Sequence, residues 1–127
     1  SRVSPKRTRV ETGDGAEFVV GHDVNPVEYF LGAVVACLNS TATMVARDMD
    51  LEIEDLEIAI EGDVDYARYR GEATTVRPGF QDISVALSVT ADAADEELRA
   101  WLEGIETRCP VTDSVENPTP LAIELAD

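Results

Sequence analysis

One stretch decides the fold of this chain, residues 25–38, which read NPVEYFLGAVVACL. Asn25 is a favoured N-cap residue, Pro26 suits the first helical position, and Glu28 can complete a capping box. The pattern predicts a helix over residues 26–48. Its first half is apolar on every face, so we expect it to be buried all round, against a sheet on one side and another chain or helix on the other.

Alternating segments on both sides of this helix predict an antiparallel sheet. Before the helix, residues 7–11 and 16–20 flank an Asp-Gly pair, which is typical of a β-hairpin. After it, residues 51–63 and 83–89 alternate apolar and polar side chains, as strands with one covered face do.

The last third of the sequence predicts a second helix and a final strand. Residues 95–108 carry apolar side chains at helical spacing, and Cys109-Pro110 should end that helix, because a residue before proline disfavours the α conformation. Residues 117–120 predict a turn and residues 121–125 a short strand. This order of elements predicts an α+β fold in a single domain over residues 1–127.

The charge composition argues against two classes of binding partner. Twenty-six acidic side chains against ten basic ones give a net charge of −16, spread along the chain. Such a surface repels nucleic acid and anionic membranes, so we expect neither as a partner. Its self-repulsion is screened by concentrated salt, which favours a halophilic source over an ordinary acidic protein.

Hydrophobicity and the N-terminal residues bear on localisation. The longest apolar run, residues 30–38, is far shorter than the roughly 20 residues that cross a bilayer. The first residues do not resemble a signal peptide. We therefore expect a cytoplasmic protein.

Two cysteines, Cys37 and Cys109, carry the candidate chemistry. With His22 as the sole histidine and no CxxC pair, they are too few for a structural zinc site, and we expect no metal. Two interpretations stay open: a redox pair or two inert core thiols. In a redox pair, one thiolate reduces a peroxide and becomes a sulfenic acid, and the other closes a disulfide if the sulfurs lie close together.

The order of motifs along the chain resembles that of the OsmC/Ohr family. The matching stretches are residues 25–37, in which Asn-Pro and a glutamate precede a cysteine, then residues 76–80, 108–114 and 117–120. The resemblance implies an OsmC-like fold, with antiparallel sheets wrapped around the central helix in an intertwined homodimer and active sites at the subunit interface.

The resemblance also implies a function. It is that of a cysteine-based peroxidase, which reduces organic hydroperoxides or hydrogen peroxide in defence against oxidative stress, without metal or flavin. Cys37 matches the attacking cysteine and Cys109 the resolving one, and an external dithiol would restore the pair. Glu28 matches a glutamate that orients an arginine beside the thiolate. No motif fixes that arginine, for which Arg7 and Arg9 are the nearest candidates.

Two other functions compete with this one. A non-catalytic OsmC-like dimer could bind a small apolar ligand and keep its thiols as structural groups, and the missing arginine motif favours that alternative. A thiol-dependent hydrolase ranks last, because no histidine base stands in a recognisable motif near either cysteine.

Overall fold

The computed structural model describes residues 1–21, 23–72 and 75–126. The sole histidine, His22, lies outside the described residues. The elements in chain order are strands β1 (Arg2–Ser4), β2 (Arg7–Glu11) and β3 (Glu17–Val20), helix α1 (Pro26–Asp48), strands β4 (Asp55–Val64) and β5 (Phe80–Thr90), and helices α2 (Asp95–Arg108) and α3 (Pro110–Glu116). This is the predicted α+β class.

The chain divides into two compact units. Unit 1 comprises Ser1–Ala33 and Ile60–Val85, and unit 2 comprises Val34–Ala59 and Ala86–Asp127. The prediction of one domain over residues 1–127 stays a prediction.

The N-terminal strands of unit 1 form an antiparallel sheet in the order β1-β2-β3. The predicted hairpin is confirmed, with Arg9 opposite Val19 and Glu11 opposite Glu17. Strand β1 was not predicted, because three residues are too short to show an alternating pattern.

Helix α1 begins and ends where the sequence predicts. Asn25 caps it, since its side-chain oxygen accepts a hydrogen bond from the Glu28 N–H at 2.9 Å. Within this chain the first half of α1 is not buried all round, since Tyr29 is 38% and Phe30 44% exposed. The cover that the sequence assigned to another chain or helix stays a prediction. The buried side chains form one stripe, Val34, Leu38, Thr41, Ala42, Val45 and Ala46. Outside this stripe the described chain leaves α1 uncovered at Phe30 and Met44, which are 44% and 52% exposed.

By length and composition α1 could also cross a membrane. It has 23 residues, and its most apolar 18-residue window has a mean hydropathy of 1.5. Central helices of globular domains pass the same test, and the buried stripe gives α1 such a core-facing side.

Strands β4 and β5 pair with each other. The predicted alternation is confirmed along β4, although this strand begins at Asp55 and not at residue 51. The N–H of Glu54 donates to the carbonyl of Thr90 at 2.8 Å, which ties the start of one strand to the end of the other, as in an antiparallel pair.

The core of unit 2 lies between α1 and α2. Trp101 is 2% exposed, and its indole N–H donates to the Ala42 carbonyl at 3.0 Å. A Cβ at Gly104 would stand 2.6 Å from Cγ1 of Val45, so glycine allows the two helices to approach closely here. This packing fixes the end of α2 against α1.

The C-terminal end differs from the prediction. Cys109-Pro110 does end α2, but Pro110 then occupies the first position of the unpredicted helix α3. The predicted final strand over residues 121–125 is absent: these described residues adopt no regular structure. Leu121, Ile123 and Leu125 are 83%, 88% and 100% exposed, because this segment pairs with no strand in the described part of the chain.

Candidate thiol site

The two cysteines come together in unit 2. Cys37 lies half-buried on α1, and Cys109 lies at the junction of α2 and α3 with 1% of its surface exposed. Both are free thiols, and Cys37 is among the groups near enough to act on the pKa of Cys109. A redox pair requires two sulfurs that lie close together.

Local backbone geometry places Cys109. Its φ and ψ of −78° and 114° are extended, as expected before a proline. Its N–H still donates to the carbonyl of Ile105 at 3.1 Å, and its carbonyl accepts from the N–H of Asp113 at 3.1 Å. The residue is thus held from both sides, by the last turn of α2 and the first turn of α3.

The pKa of Cys109 reflects two opposing effects. Burial raises the pKa of this thiol, because it penalises the charged form. The neighbouring polar groups of Thr112, Cys37 and Thr41 lower it. Together they outweigh burial, so the pKa lies below the ordinary value of a cysteine.

Sequence reasoning missed both threonines. Thr41 follows Cys37 by four residues on α1, which places the two on one face of the helix. Thr112 follows Cys109 by three residues, in the first turn of α3. The signal that could have found them is a hydroxyl one turn after each cysteine.

No charged side chain is among the described groups that act on Cys109. Arg108 precedes it in sequence, but the guanidinium of Arg108 pairs with the Asp48 carboxylate at 2.7 Å. Uncharged donors alone therefore lower the pKa of Cys109 in the described part of this chain.

The structure does not bring Glu28 to the thiols. Glu28 is exposed in the first turn of α1, nine residues before Cys37, and nine residues of α-helix rise by about 13 Å. A carboxylate does not span that rise to a thiol on its own helix. The candidate arginines Arg7 and Arg9 are exposed on β2, in unit 1.

Metal ligands are not clustered in the described ranges. Among residues 1–21, 23–72 and 75–126, no group of three or more His, Cys, Asp and Glu side chains is placed to hold an ion.

Unit 1 contains an apolar cavity of its own, with a volume of about 540 Å³. Tyr66, Tyr69 and Phe80 supply its aromatic lining, and Pro26 and Val27 contribute from the start of α1. Tyr66 and Tyr69 meet edge to face, with ring centroids 6.0 Å apart.

Comparison with known proteins identifies the family of this chain. The family model described as OsmC-like protein matches residues 20–124, a range that contains both cysteines and all of α1. The chain belongs to the OsmC-like family. None of the curated proteins compared matches the sequence of this OsmC-like protein.

Solved structures agree with the family. An OsmC-like protein from Mycoplasma pneumoniae superposes with a TM-score of 0.68 over 88% of this chain and 86% of its own, at 16% identity. An OsmC-like hydroperoxide resistance protein from a Jannaschia species gives 0.65, over 99% and 88%, at 12% identity. The organic hydroperoxide resistance protein OsmC from Legionella pneumophila gives 0.58, over 88% and 83%, at 22% identity. At such identities the likeness shows the fold of this OsmC-like protein alone.

Proposed function

We propose that this OsmC-like protein is a cysteine-based peroxidase that reduces organic hydroperoxides in defence against oxidative stress. The observation that carries the proposal is the pairing of a half-buried thiol, Cys37, with a fully buried one, Cys109. A peroxide reaches the more exposed sulfur first, and the buried sulfur beside it can act only on the product that forms there.

The reaction then divides between the two cysteines. The Cys37 thiolate attacks the terminal peroxide oxygen, the O–O bond breaks, and the departing alkoxide takes a proton and leaves as the alcohol. Cys37 is now a sulfenic acid. Cys109 attacks its sulfur, the S–S bond forms, and the hydroxide released becomes water. An external dithiol reduces the disulfide and is itself oxidised.

The substrate class has two supports. Apolar residues surround Cys37 on α1, including Val34 and Leu38, which suits an organic peroxide better than hydrogen peroxide. Two of the structural neighbours are named as hydroperoxide resistance proteins. Acting on peroxides inside the cell, the protein is cytoplasmic, and its acidic surface suits a salt-rich cytoplasm.

The active form is a homodimer with its sites at the subunit interface. Two surfaces of the chain support this: the uncovered side of α1, with Phe30 and Met44, and the alternating apolar residues of the C-terminal segment 121–125. A second copy would bring Glu28, with Arg7, Arg9 or another arginine, to Cys37 of its partner. The arginine would stabilise the Cys37 thiolate, and Glu28 would orient that arginine.

Thiol titration tests the reaction. The reduced protein in molar salt receives one equivalent of cumene hydroperoxide, and we expect both thiols to disappear. The Cys109→Ser variant should lose its remaining thiol to a sulfenic acid that dimedone traps, whereas Cys37→Ser should keep its thiol. If both thiols of the unaltered protein stay free, the peroxidase proposal is wrong.

Sedimentation tests the dimer. We expect a mass of twice the 13.8 kDa chain in molar salt. Replacing Leu121, Ile123 and Leu125 by serine should weaken the dimer and leave helix content unchanged by circular dichroism. A monomeric parent protein would contradict the proposal, and so would a triple variant that dimerises as tightly as the parent.

The cavity of unit 1 favours a second candidate function, the binding of a small apolar ligand without catalysis. Its aromatic lining and its volume suit a molecule of one or two rings. A neutral naphthalene dye should then bind with a fluorescence increase that Tyr69→Ala abolishes and Cys37→Ser does not. This candidate replaces the first only if the dye binds and both thiols resist hydroperoxide.

A further inference from the structure

Unit 1 contains a second cavity beside the aromatic one, with a volume of about 700 Å³. Asn25, Pro26 and Tyr69 line both cavities, so the two adjoin at the start of α1. Tyr69 is 78% exposed, which leaves its ring available to a molecule that extends from one cavity to the other. Two adjoining cavities offer more room than a ligand of one or two rings needs.

The N-terminal sheet forms one wall of the second cavity. Thr8, Val10 and Val20 line this wall, and Thr8 lies opposite Val20 in the register of β2 and β3. Because side chains alternate between the two faces of a strand, Arg7 and Arg9 lie on the other face of β2. The cavity therefore lies against one face of the sheet, and these two arginines do not contribute to it.

Lys6 lies at the edge of this wall, in the turn between β1 and β2, and lines the same cavity. A Cβ at Gly21 would clash with the Lys6 carbonyl oxygen, so a glycine with a φ of +89° allows this turn to lie against the end of β3. The backbone of Lys6 is thus held beside the cavity. Its ammonium group forms no ion pair with any residue that the structure describes.

The charges around the two cavities differ from those of the chain as a whole. The chain carries 26 acidic and ten basic side chains, yet the described residues that line the cavities include two bases, Lys6 and Arg70, and one acid, Asp23. Arg70 pairs with Glu72 at 3.0 Å, which leaves Lys6 as the cation available to a ligand. The first turn of α1 adds a partial positive charge through its N–H groups. This part of an acidic protein therefore favours an anionic group.

We propose that the two cavities form one binding site for an elongated organic carboxylate, whose hydrocarbon body lies in the aromatic cavity and whose carboxylate contacts Lys6 in the second one. Tyr66, Tyr69 and Phe80 supply a contact surface for an aromatic body. The Lys6 ammonium supplies a charge-assisted hydrogen bond to the carboxylate. The inference rests on the second candidate function, for which it names the ligand class, and it requires neither thiol.

Naphthylbutanoate and its methyl ester test the proposal, because esterification removes the charge and keeps the hydrocarbon body. Equilibrium dialysis against the full chain in molar salt, where screening leaves only direct charge contacts, measures both dissociation constants. We expect the carboxylate to bind roughly tenfold more tightly than the ester, which is the effect of one hydrogen bond between charged groups. Lys6→Gln should remove this preference. The matched control is Arg68→Gln, which removes an exposed cation of unit 1 that lines neither cavity and should keep the preference.

A second measurement reports on Lys6 directly. Lys6 is the only lysine of the chain, so acetylation followed by tandem mass spectrometry follows this one side chain. Saturating naphthylbutanoate should slow the acetylation of Lys6 severalfold, and the ester at equal occupancy should slow it less. Tyr69→Ala alters an exposed side chain and should weaken the binding of both probes, because Tyr69 lines both cavities.

The outcomes separate the inference from the candidate function on which it rests. Equal affinities of the two probes overturn the inference and leave the apolar-ligand candidate standing. A carboxylate preference that survives Lys6→Gln, or that Arg68→Gln removes as well, also overturns it, because the anion would then respond to the general charge of the chain. Binding of neither probe overturns the inference and the apolar-ligand candidate together. The peroxidase proposal is tested separately, by the thiol titration.

Discussion

The two compact units of this chain differ in how much side-chain surface they bury. The fully buried side chains of the described residues all belong to unit 2: Val34, Leu38, Thr41, Ala42, Val45, Ala46, Trp101, Ile105 and Cys109. In unit 1, the described residues are half-buried or exposed, although β2 and β3 pair in a regular register. A redox pair needs its sulfurs held in place, and the thiols lie in the unit whose own packing provides this.

Substitution of one aromatic residue in each unit should give the largest difference in the loss of unfolding free energy. Trp101→Ala removes a buried ring and the indole hydrogen bond to Ala42, and should cost about 3–5 kcal/mol of unfolding free energy. Phe80→Ala in unit 1 should cost less than about 2 kcal/mol, because its ring is only half-buried. Urea unfolding in molar salt, at one protein concentration, measures both. Equal losses would mean that the units are equally well packed.

Glycine substitutions sharpen the same comparison. A Cβ at Gly104 would stand 2.6 Å from Val45 Cγ1, and the stiff valine cannot yield, so Gly104→Ala should cost about 1–2 kcal/mol despite alanine's helix preference. A Cβ at Gly62 would stand 2.6 Å from the Phe80 ring, which is only half-buried, so Gly62→Ala should cost less. Thermal unfolding measures the losses.

The same glycine pair has a second readout. Gly104→Ala moves α2 away from α1 and should therefore slow closure of the disulfide between Cys37 and Cys109, whereas Gly62→Ala should not. Closure at the parent rate in Gly104→Ala would show that helix packing does not set the distance between the sulfurs.

The pH dependence of stability tests the thiol site within unit 2. The folded pKa of Cys109 lies below the ordinary value of a cysteine thiol. The ionised thiol therefore stabilises the fold in full at pH values above the pKa that Cys109 has in the unfolded chain. This contribution is lost as the pH falls through the folded pKa. In reduced protein, the difference in unfolding free energy between the parent and Cys109→Ala should shrink as the pH is lowered across that window. A difference that is constant with pH would mean that only packing is lost.

Local pattern in the sequence predicted most of the secondary structure. The bounds of α1 and α2 were correct, because capping residues and the proline after Cys109 mark them, and the resemblance to the OsmC/Ohr family is confirmed by the family match. Local pattern failed at residues 121–125, where alternation predicts a strand but the described chain supplies no neighbouring strand. Within this chain it failed similarly at the exposed Phe30 of α1, because an all-apolar helix indicates burial without indicating what provides it.

For the candidate site too, the sequence predicted what depends on residue type and failed on what depends on packing. The two cysteines could be selected from the sequence, and their roles remain a prediction. Their closeness could not be foreseen, because it depends on how α2 packs against α1 through Trp101 and Gly104. Thr41 and Thr112 could not be selected from the sequence, because a threonine near a thiol is recognised only once the fold has placed the two together.

Removal of one ion pair in each unit should give the smallest difference in the loss of unfolding free energy. Asp48 and Arg108 connect α1 to α2 in unit 2 with a separation of 2.7 Å, and Arg70 and Glu72 pair at 3.0 Å between near neighbours in unit 1. Both pairs are largely exposed, so Asp48→Asn should cost no more than about 0.2–1 kcal/mol, and Glu72→Gln less, because its pair closes no long loop. Arg108 also sits in the last turn of α2, where its charge favours the helix with or without Asp48. Urea unfolding at low salt and at about 2 M salt separates these effects, since concentrated salt should remove most of the Asp48→Asn loss. A loss that persists in the concentrated salt would mean that Asp48 acts through packing between the helices and not through its charge.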